Sequence, residues 1–249
     1  MIVPNKELGQ HFLTDEVILN KIRTALDLNL NDMLLEVGPG PAYLTKYLLP
    51  GIKELHAVEI DLRTRPLLLP LSHQYPNLFL YFEDFLKMNL VPLKSINKAC
   101  GNLPYQVAMP IIERISYELS PSLMVFMLAE GTALRLMSKP GREEYSAASI
   151  FAQSFYEVSL VSKVSRKLFH PPPKIDSMIC CFKAKRIDRN KTKEFVTFAR
   201  SLFSYRRKTL ANALRKCNYP GDFSSYKDRI ESYSIDELYQ IFENIMVQT

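Results

Sequence analysis

The stretch Cys100–Pro110, CGNLPYQVAMP, concentrates residue types that can do chemistry. An apolar run ends in Asn102, a Leu-Pro-Tyr step follows, and helical spacing resumes through Ile111, Ile112 and Ile115. These residues suit one task, holding an amino group that projects from a nucleobase. Such an amine is a poor nucleophile because its lone pair is delocalised into the ring, and acceptors on both of its hydrogens would free that pair. The Asn102 side chain offers a neutral carbonyl oxygen as one acceptor. The backbone carbonyl of Leu103 offers the second, a role indifferent to its side chain. Pro104 fixes its own φ and drives Leu103 into extended backbone, which aims that carbonyl. Tyr105 supplies a ring face on which a base can stack. The same four residues would also serve as a plain turn between strand and helix, so what stands upstream decides between the two.

Upstream lies the rim of a small-molecule site. LLEVGPGPAYLT sets Gly38 and Gly40 directly after an apolar run, where glycine permits a tight turn and a close backbone approach to a ligand. A dinucleotide fingerprint would carry a third glycine three residues after Gly40; Tyr43 stands there, which disfavours NAD. Glu59 ends a second strand-like run, placed to accept from ribose hydroxyls, and Asp84 ends a third in YFEDF. Two glycines and two carboxylates along consecutive strand ends predict a nucleoside-type cofactor. S-adenosylmethionine fits better than a dinucleotide, because it has no phosphates that need a glycine-rich helix start. Its sulfonium methyl is already activated, so no strong general base is needed and catalysis would rest on alignment and desolvation.

A frame must hold these residues in register. MLLEV, ELHAVEID, NLFLYFED, INKACGNLPY and SLMVFML read as five strands. DEVILNKIRTALDL, AYLTKYLL, the stretch after Tyr105 and AEGTALRLMSK read as helices. Val17, Ile18, Ile22 and Leu26 form the expected buried stripe of the first helix, with Asp15 at its start. LRTRPLLLPLSHQY is a helix compromised by Pro66 and Pro70. The alternation predicts an α/β fold with a parallel, doubly wound sheet and ligands at the carboxyl ends of its strands. Residues 146–185 turn strand-like without a clear helix, as for an antiparallel edge pair. From about Arg186 the pattern is helical to the end, and the charge-dense KAKRIDRNK marks a boundary between domains 1–185 and 186–249.

The 249 residues are 47% hydrophobic, enough for a substantial core. No apolar run approaches the ~18 residues of a membrane span, and the N-terminal residues lack the apolar core of a signal peptide. Cys100, Cys180, Cys181 and Cys217 have no C-x-x-C spacing, which argues against zinc and a disulfide framework and suits a reducing cytoplasm. No metal is expected. Charge is uneven: the first 162 residues sum to −3 and the last 87 to +9. That asymmetry fits a polyanion partner or a solvated helical tail equally well. Arg206, Arg207 and Lys208 are expected as one outward turn of a helix whose residues 195, 198, 202 and 203 pack inward. Cations on phosphates give affinity and register without reading sequence.

ELGQHFLTD, LLEVGPGPAYLT, VEID, GNLPYQVAMPII, KPGREEYSAAS, LFHPPPKIDSMI and FSYRRKTLANALR follow the order found in ribosomal RNA adenine dimethyltransferases, which the chain resembles from about Lys6 to Lys216. The resemblance implies a Rossmann-like class I methyltransferase sheet with a small C-terminal helical domain. It implies transfer of methyl groups from S-adenosylmethionine to the N6 amines of two adjacent adenines near the 3′ end of small-subunit ribosomal RNA, during ribosome assembly. Carried over by position, cofactor contacts fall on His11, Leu13, Gly38, Glu59, Asp84 and Asn102. His11 and Leu13 would come from an N-terminal segment folded over the cofactor. Phe169 would close the target pocket opposite Tyr105, its other reading being a core aromatic; His170 receives no role. The target adenine must leave its stack to reach Tyr105. A cytoplasmic monomer acting on a preassembled small subunit is the expected form.

The sequence departs from the family at several points. Ala42 stands where glycine is usual, and Ala211 where arginine is common. Gly131 should weaken its helix by up to ~1 kcal/mol. Two other functions stay open. A large-subunit RNA methylase of the macrolide-resistance type is disfavoured by PPPKIDS and RRKTLANAL, and a non-catalytic RNA-binding assembly factor by the intact Asn-Leu-Pro-Tyr.

Overall fold

The computed structural model describes residues 2–5 and 7–247. They form two compact units, one of residues up to 133 together with 159–184, the other of 134–158 together with the residues from 185 onward. The first unit begins with a short strand β1 (Phe12–Leu13) and helix α1 (Glu16–Leu26). Strands and helices then alternate through β2 (Met33–Val37), α2 (Tyr43–Leu48), β3 (Glu54–Val58), α3 (Arg65–Gln74), β4 (Leu78–Tyr81), β5 (Lys98–Asn102), α4 (Ala108–Glu118) and β6 (Leu123–Ala129). Next come α5 (Glu130–Met137), α6 (Ala147–Phe155), β7 (Tyr156–Val164), β8 (Phe169–His170) and β9 (Ser177–Ala184). The chain ends in α7 (Arg189–Phe203), α8 (Leu210–Lys216) and α9 (Ile235–Met246).

One sheet has the order β4-β3-β2-β5-β6-β9-β7. The five strands from β4 to β6 are parallel, and β9 runs antiparallel to β6. Leu34, Leu35, Ala99, Cys100 and residues 124–128 are all buried, as unbroken apolar runs must be when helices cover both faces of a parallel sheet. Strand order leaves β2 toward β3 on one side and toward β5 on the other. The crevice beyond the carboxyl ends of β2 and β5 is therefore the topological switch point, where such sheets bind ligands.

Local chemistry accounts for the elements and for where they depart from expectation. The Asp15 carboxylate accepts from the Ile18 N–H at 3.0 Å and caps α1. The buried stripe of α1 is Ile18, Leu19, Ile22 and Leu26; Val17, expected in it, is 65% exposed. Helix α3 survives both prolines. Pro66 lies in the first turn, where its missing N–H has no intrahelical partner to lose, and both Pro66 and Pro70 face solvent.

The larger departure is α6, in a segment expected to be strand-like. Ser149, Ile150, Phe151, Ala152, Ser154 and Phe155 are all buried, so the helix shows no polar face and no helical periodicity in its sequence. The same burial moves the division between units: residues 134–158 pack with the C-terminal helices through α6 against α7, whereas 1–185 was expected as one domain. Among the described residues no helix is long and apolar enough to cross a membrane.

Candidate cofactor and target site

The switch-point turn is built from backbone that few side chains allow. Gly38 has φ +74° and its N–H donates to the Val58 carbonyl at 2.9 Å. A Cβ on Gly38 would meet no atom within 4 Å, so the turn leaves open space on that side. Gly40 donates its N–H to Glu59 Oε2 at 2.8 Å, and Glu59 Oε1 accepts from the Asp61 N–H at 2.8 Å. On the neighbouring strand, a Cβ on Gly101 would lie 2.4 Å from the Val37 carbonyl oxygen. Only glycine lets β2 and β5 approach this closely one residue before Asn102.

The N-terminal segment is strapped across these strand ends. Gln10 Nε2 donates to Asp61 Oδ2 at 2.8 Å, and the Arg63 guanidinium holds that carboxyl down at about 2. β1 pairs with β8, setting Phe12 opposite His170 and Leu13 opposite Phe169. His11 Nδ1 lies 2.7 Å from the Pro171 carbonyl. A carbonyl only accepts, so Nδ1 carries the hydrogen. The His11 carbonyl in turn accepts from Asn102 Nδ2 at 2.8 Å. This contact fixes the amide: its NH2 faces the strap, and no donor among the described residues reaches Oδ1.

Beyond Asn102 the side chain of Leu103 is buried, and its N–H donates to the Met127 carbonyl at 3.3 Å. The Tyr105 hydroxyl is 2.8 Å from Ser177 Oγ, and its half-buried ring lies 6.2 Å from the His11 ring at 25°. Burial raises the phenol above its ordinary value, so Tyr105 stays neutral. An aromatic platform thus stands beside the strap, pinned at its polar end.

The cleft at the switch point holds about 400 Å³ of free space, part of it open to solvent. Of the expected cofactor residues, Leu13, Gly38 and Asn102 line it. Glu59 sits 4% exposed behind the glycine turn, and burial raises its carboxyl. Asp84 accepts from the Leu86 N–H at 2.9 Å and lies 3.6 Å from the Lys87 ammonium. Neither carboxylate lines the cleft.

Glu36, in the middle of MLLEV, does line it and went unnoticed in the sequence. It is 1% exposed, its Oε2 has no partner among the described residues, and burial with the nearby Glu59 charge pushes its carboxyl up to about 8. The signal available was a lone carboxylate inside an apolar strand that ends in a glycine turn.

These features decide what the cleft can hold. Pro39 and Pro41 supply no N–H donors, and among the described residues no Lys or Arg lines the cleft, so a phosphate would find little there. A buried carboxyl with a free oxygen favours a cation. S-adenosylmethionine, cationic and without phosphate, fits this set; a dinucleotide does not.

Two expectations need correction. Phe169 is 4% exposed and belongs to the core cluster with Leu13 and Ile179, so its ring is not offered to a base. Its strand pairing with Leu13 turns it inward. The basic residues Arg206, Arg207 and Lys208 do not form a helical turn, because α7 ends at Phe203 and a non-helical turn leads to α8. Within it Arg206 pairs with Glu231 and donates to the Glu143 carbonyl at 2.6 Å, while Arg207 and Lys208 are exposed. The cysteines are free, and among the described residues no cluster of His, Cys, Asp and Glu could hold a metal.

A profile of the family described as Ribosomal RNA adenine dimethylase matches residues 3–246. A Ribosomal RNA small subunit methyltransferase A from Thermotoga neapolitana is 36% identical, over 95% of this chain and 90% of its own. The crystal structure of a dimethyladenosine transferase from Plasmodium falciparum superposes with a TM-score of 0.81 at 26% identity, over 95% of this chain and 98% of its own. The 23S rRNA methyltransferase ErmE has the same fold, with a TM-score of 0.71 at 21% identity over 93% of this chain and 99% of its own.

Proposed function

The chain belongs to the ribosomal RNA adenine dimethylase family, and from that premise we propose that it transfers methyl groups from S-adenosylmethionine to the N6 amines of two adjacent adenines near the 3′ end of small-subunit ribosomal RNA. The observation that carries this reading is the bonding of Asn102. Its NH2 is committed to the His11 carbonyl, which leaves Oδ1 free to accept, in the same chain step as the Leu103 carbonyl and Tyr105.

When bound, S-adenosylmethionine supplies a sulfonium methyl that is electrophilic without help from a base. Leu13, Gly38, Glu36 and Asn102 hold it in the cleft. Glu59 accepts from the Gly40 and Asp61 N–H groups, and its remaining acceptor capacity serves the ribose hydroxyls. Asp84, three residues past the end of β4 and outside the lining of the cleft, takes the part of the ligand that extends beyond it.

Asn102 Oδ1 and the Leu103 carbonyl take the two amine hydrogens and pull the lone pair out of conjugation. Tyr105, neutral and held through Ser177, carries the base. His11 is a positioning residue: its carbonyl sets the amide, and its ring backs the tyrosine. As the nitrogen gains positive charge, the two carbonyl dipoles stabilise it, already oriented before the reaction. The proton then leaves to water. Exposed Arg207 and Lys208 meet phosphates, and Arg206 braces the turn that carries them. The chain works as a cytoplasmic monomer on a preassembled small subunit.

Incubation of labelled S-adenosylmethionine with unmethylated small and large ribosomal subunits, followed by mapping of the label, tests the reading. Label on adjacent small-subunit adenines supports it. Label on large subunits would assign the chain to the resistance-type activity, and binding without transfer would make it an assembly factor.

A further inference from the structure

A second hollow, with about 700 Å³ of free space partly open to solvent, lies wholly within the second unit. The end of α6, the linker into α7 and the starts of α7 and α9 bound it. Its floor is apolar. Phe195 is 1% exposed, Ile187 and Ile235 are half-buried, and Tyr239 meets Phe195 edge-on at 5.0 Å.

The polar groups around this floor have used their donors and kept their acceptors. Gln153 Nε2 donates to the Leu136 carbonyl at 3.0 Å and to the Ser138 carbonyl at 2.7 Å, so only its Oε1 is left to bond. Asp188 caps α7 through Oδ1, which accepts from the Asn190 and Lys191 N–H groups; its Oδ2 has no donor among the described residues. The exposed Asp236 carboxylate has none among them either. Lys185, the one cation of the lining among the described residues, is tied back to the Gln153 carbonyl at 2.6 Å. Ser154 is 9% exposed, and its buried hydroxyl has no partner among the described residues.

A phosphate would meet acceptors and two carboxylates here, although the last 87 residues sum to +9. The pattern suits the opposite ligand, a cation with many donors, no acceptor and an apolar stem. Guanidinium is that group: planar, with five donors, and more weakly hydrated than an ammonium. The Tyr239 ring already carries one cation, the Lys191 ammonium at 5.9 Å, which Glu243 neutralises.

We propose that this hollow is a docking socket for one arginine side chain of a partner protein, its stem over Phe195 and Tyr239 and its guanidinium held by Asp188, Asp236, Gln153 Oε1 and the Ser154 hydroxyl. The open side lets the chain that bears the arginine lie across the mouth. The inference does not rest on the cofactor reading. It adds a protein contact to a unit whose exposed Arg207 and Lys208 serve RNA.

NMR of the full chain with labelled isoleucine methyl groups reads Ile187 and Ile235 directly. Acetyl-Leu-Arg-Leu-amide should shift both signals saturably, and acetyl-Leu-Glu-Leu-amide should leave them in place. Acetyl-Leu-Lys-Leu-amide and free arginine should bind more weakly than the arginine peptide. Asp188→Asn and Asp236→Asn keep the side-chain shape, and asparagine caps a helix as well as aspartate does. Each should weaken the arginine peptide about 3- to 5-fold, as loss of a partly exposed ion pair would. No saturable shift, unchanged affinity in both variants, or lysine bound as tightly as arginine overturns the proposal. Free arginine bound as tightly as the peptide would make this a small-molecule site, and tighter binding of single-stranded hexa-adenylate would assign it to RNA; either result also overturns it.

Discussion

The two ends of strands β2 and β5 treat buried polar groups in opposite ways. At the amino ends, Asp32 and Lys98 form an ion pair at 2.9 Å, with Asp32 2% and Lys98 8% exposed. Asn97 Nδ2 donates to the second carboxylate oxygen at 2.8 Å, its Oδ1 accepts from the Met33 N–H at 2.8 Å, and Lys98 also donates to the Asp27 carbonyl. Burial pushes the Asp32 carboxyl up, but the bonds from Lys98, Asn29 and Asn97 outweigh it and hold it below its ordinary value. Four residues along each strand, about 13 Å away, Glu36 Oε2 and Asn102 Oδ1 have no donor among the described residues. One core thus completes every bond at its structural end and leaves bonds unmade at its switch point. On the proposed function, the idle oxygen of Asn102 is the one that meets the target amine.

Removing one member of the completed set should have the largest effect. Lys98→Met leaves Asp32 buried without its counter-charge and should lower unfolding free energy by about 3–5 kcal/mol in urea titrations at pH 7. Asp32→Asn combined with Lys98→Met should recover most of that loss, and kcat per folded molecule should stay near wild type in the double variant. A loss below about 1 kcal/mol in Lys98→Met would show that the amino end is not held by its charges.

The mirror experiment at the other end should move activity and spare stability. Asn102→Ala removes an acceptor that is idle in the free protein and breaks one bond to the strap, so unfolding free energy should fall by only ~1 kcal/mol. Turnover should fall about 10²- to 10³-fold, as it does when one dipole aimed at developing charge is lost. S-adenosylmethionine affinity, measured by calorimetry, should change by less than about tenfold. A variant that turns over normally would remove Asn102 from the chemistry.

The same contrast explains what could be read from the sequence. The five parallel strands were legible because each is an apolar run closed by glycine, asparagine or a carboxylate. The Asn-Leu-Pro-Tyr step stood out in the sequence because proline constrains both its own backbone and that of the residue before it. Glu36 was not, because an unpaired acid within MLLEV reads as an imperfection in a strand, and its burial depends on α1 and α2 packing over it. Helix α6 was hidden by burial all round, and Phe169 by a strand pairing with Leu13 more than 150 residues away. The partner of Arg206 lies 25 residues on, beyond the reach of any local pattern.

Arg206 and its neighbours carry the contrast into the second unit. Arg206 is paired, and its pair is partly exposed, so Arg206→Ala should cost at most ~1 kcal/mol of stability. Arg207 and Lys208 are exposed, and replacing both with alanine should weaken RNA binding about tenfold and flatten the dependence of log K on log salt by roughly 1.4–1.8. Filter binding across a salt series separates the two. Equal slopes for wild type and the double variant would take both cations off the phosphates.

The smallest effect sets two residues of one turn against each other. Gly38 and Ala42 both have positive φ, +74° and +67°, yet the first borders open space and the second is buried. Ala42→Gly relieves about 1 kcal/mol of left-handed strain, loses a buried methyl worth ~0.8 kcal/mol, and adds a further ~0.5 kcal/mol or more of backbone freedom in the unfolded chain. The terms nearly cancel, so stability should change by less than ~1 kcal/mol and cofactor affinity should not change. Gly38→Ala imposes about 1 kcal/mol of the same strain without gaining a contact, regains ~0.5 kcal/mol from the stiffer unfolded chain, and so should cost about 0.5 kcal/mol while its new methyl projects into the open side of the turn. Calorimetry should show weaker S-adenosylmethionine binding in Gly38→Ala alone. If Ala42→Gly weakened binding as much, the turn would be answering to its backbone conformation and not to the space beside Gly38, and the division between filled and unfilled sides of this site would fail at its narrowest point.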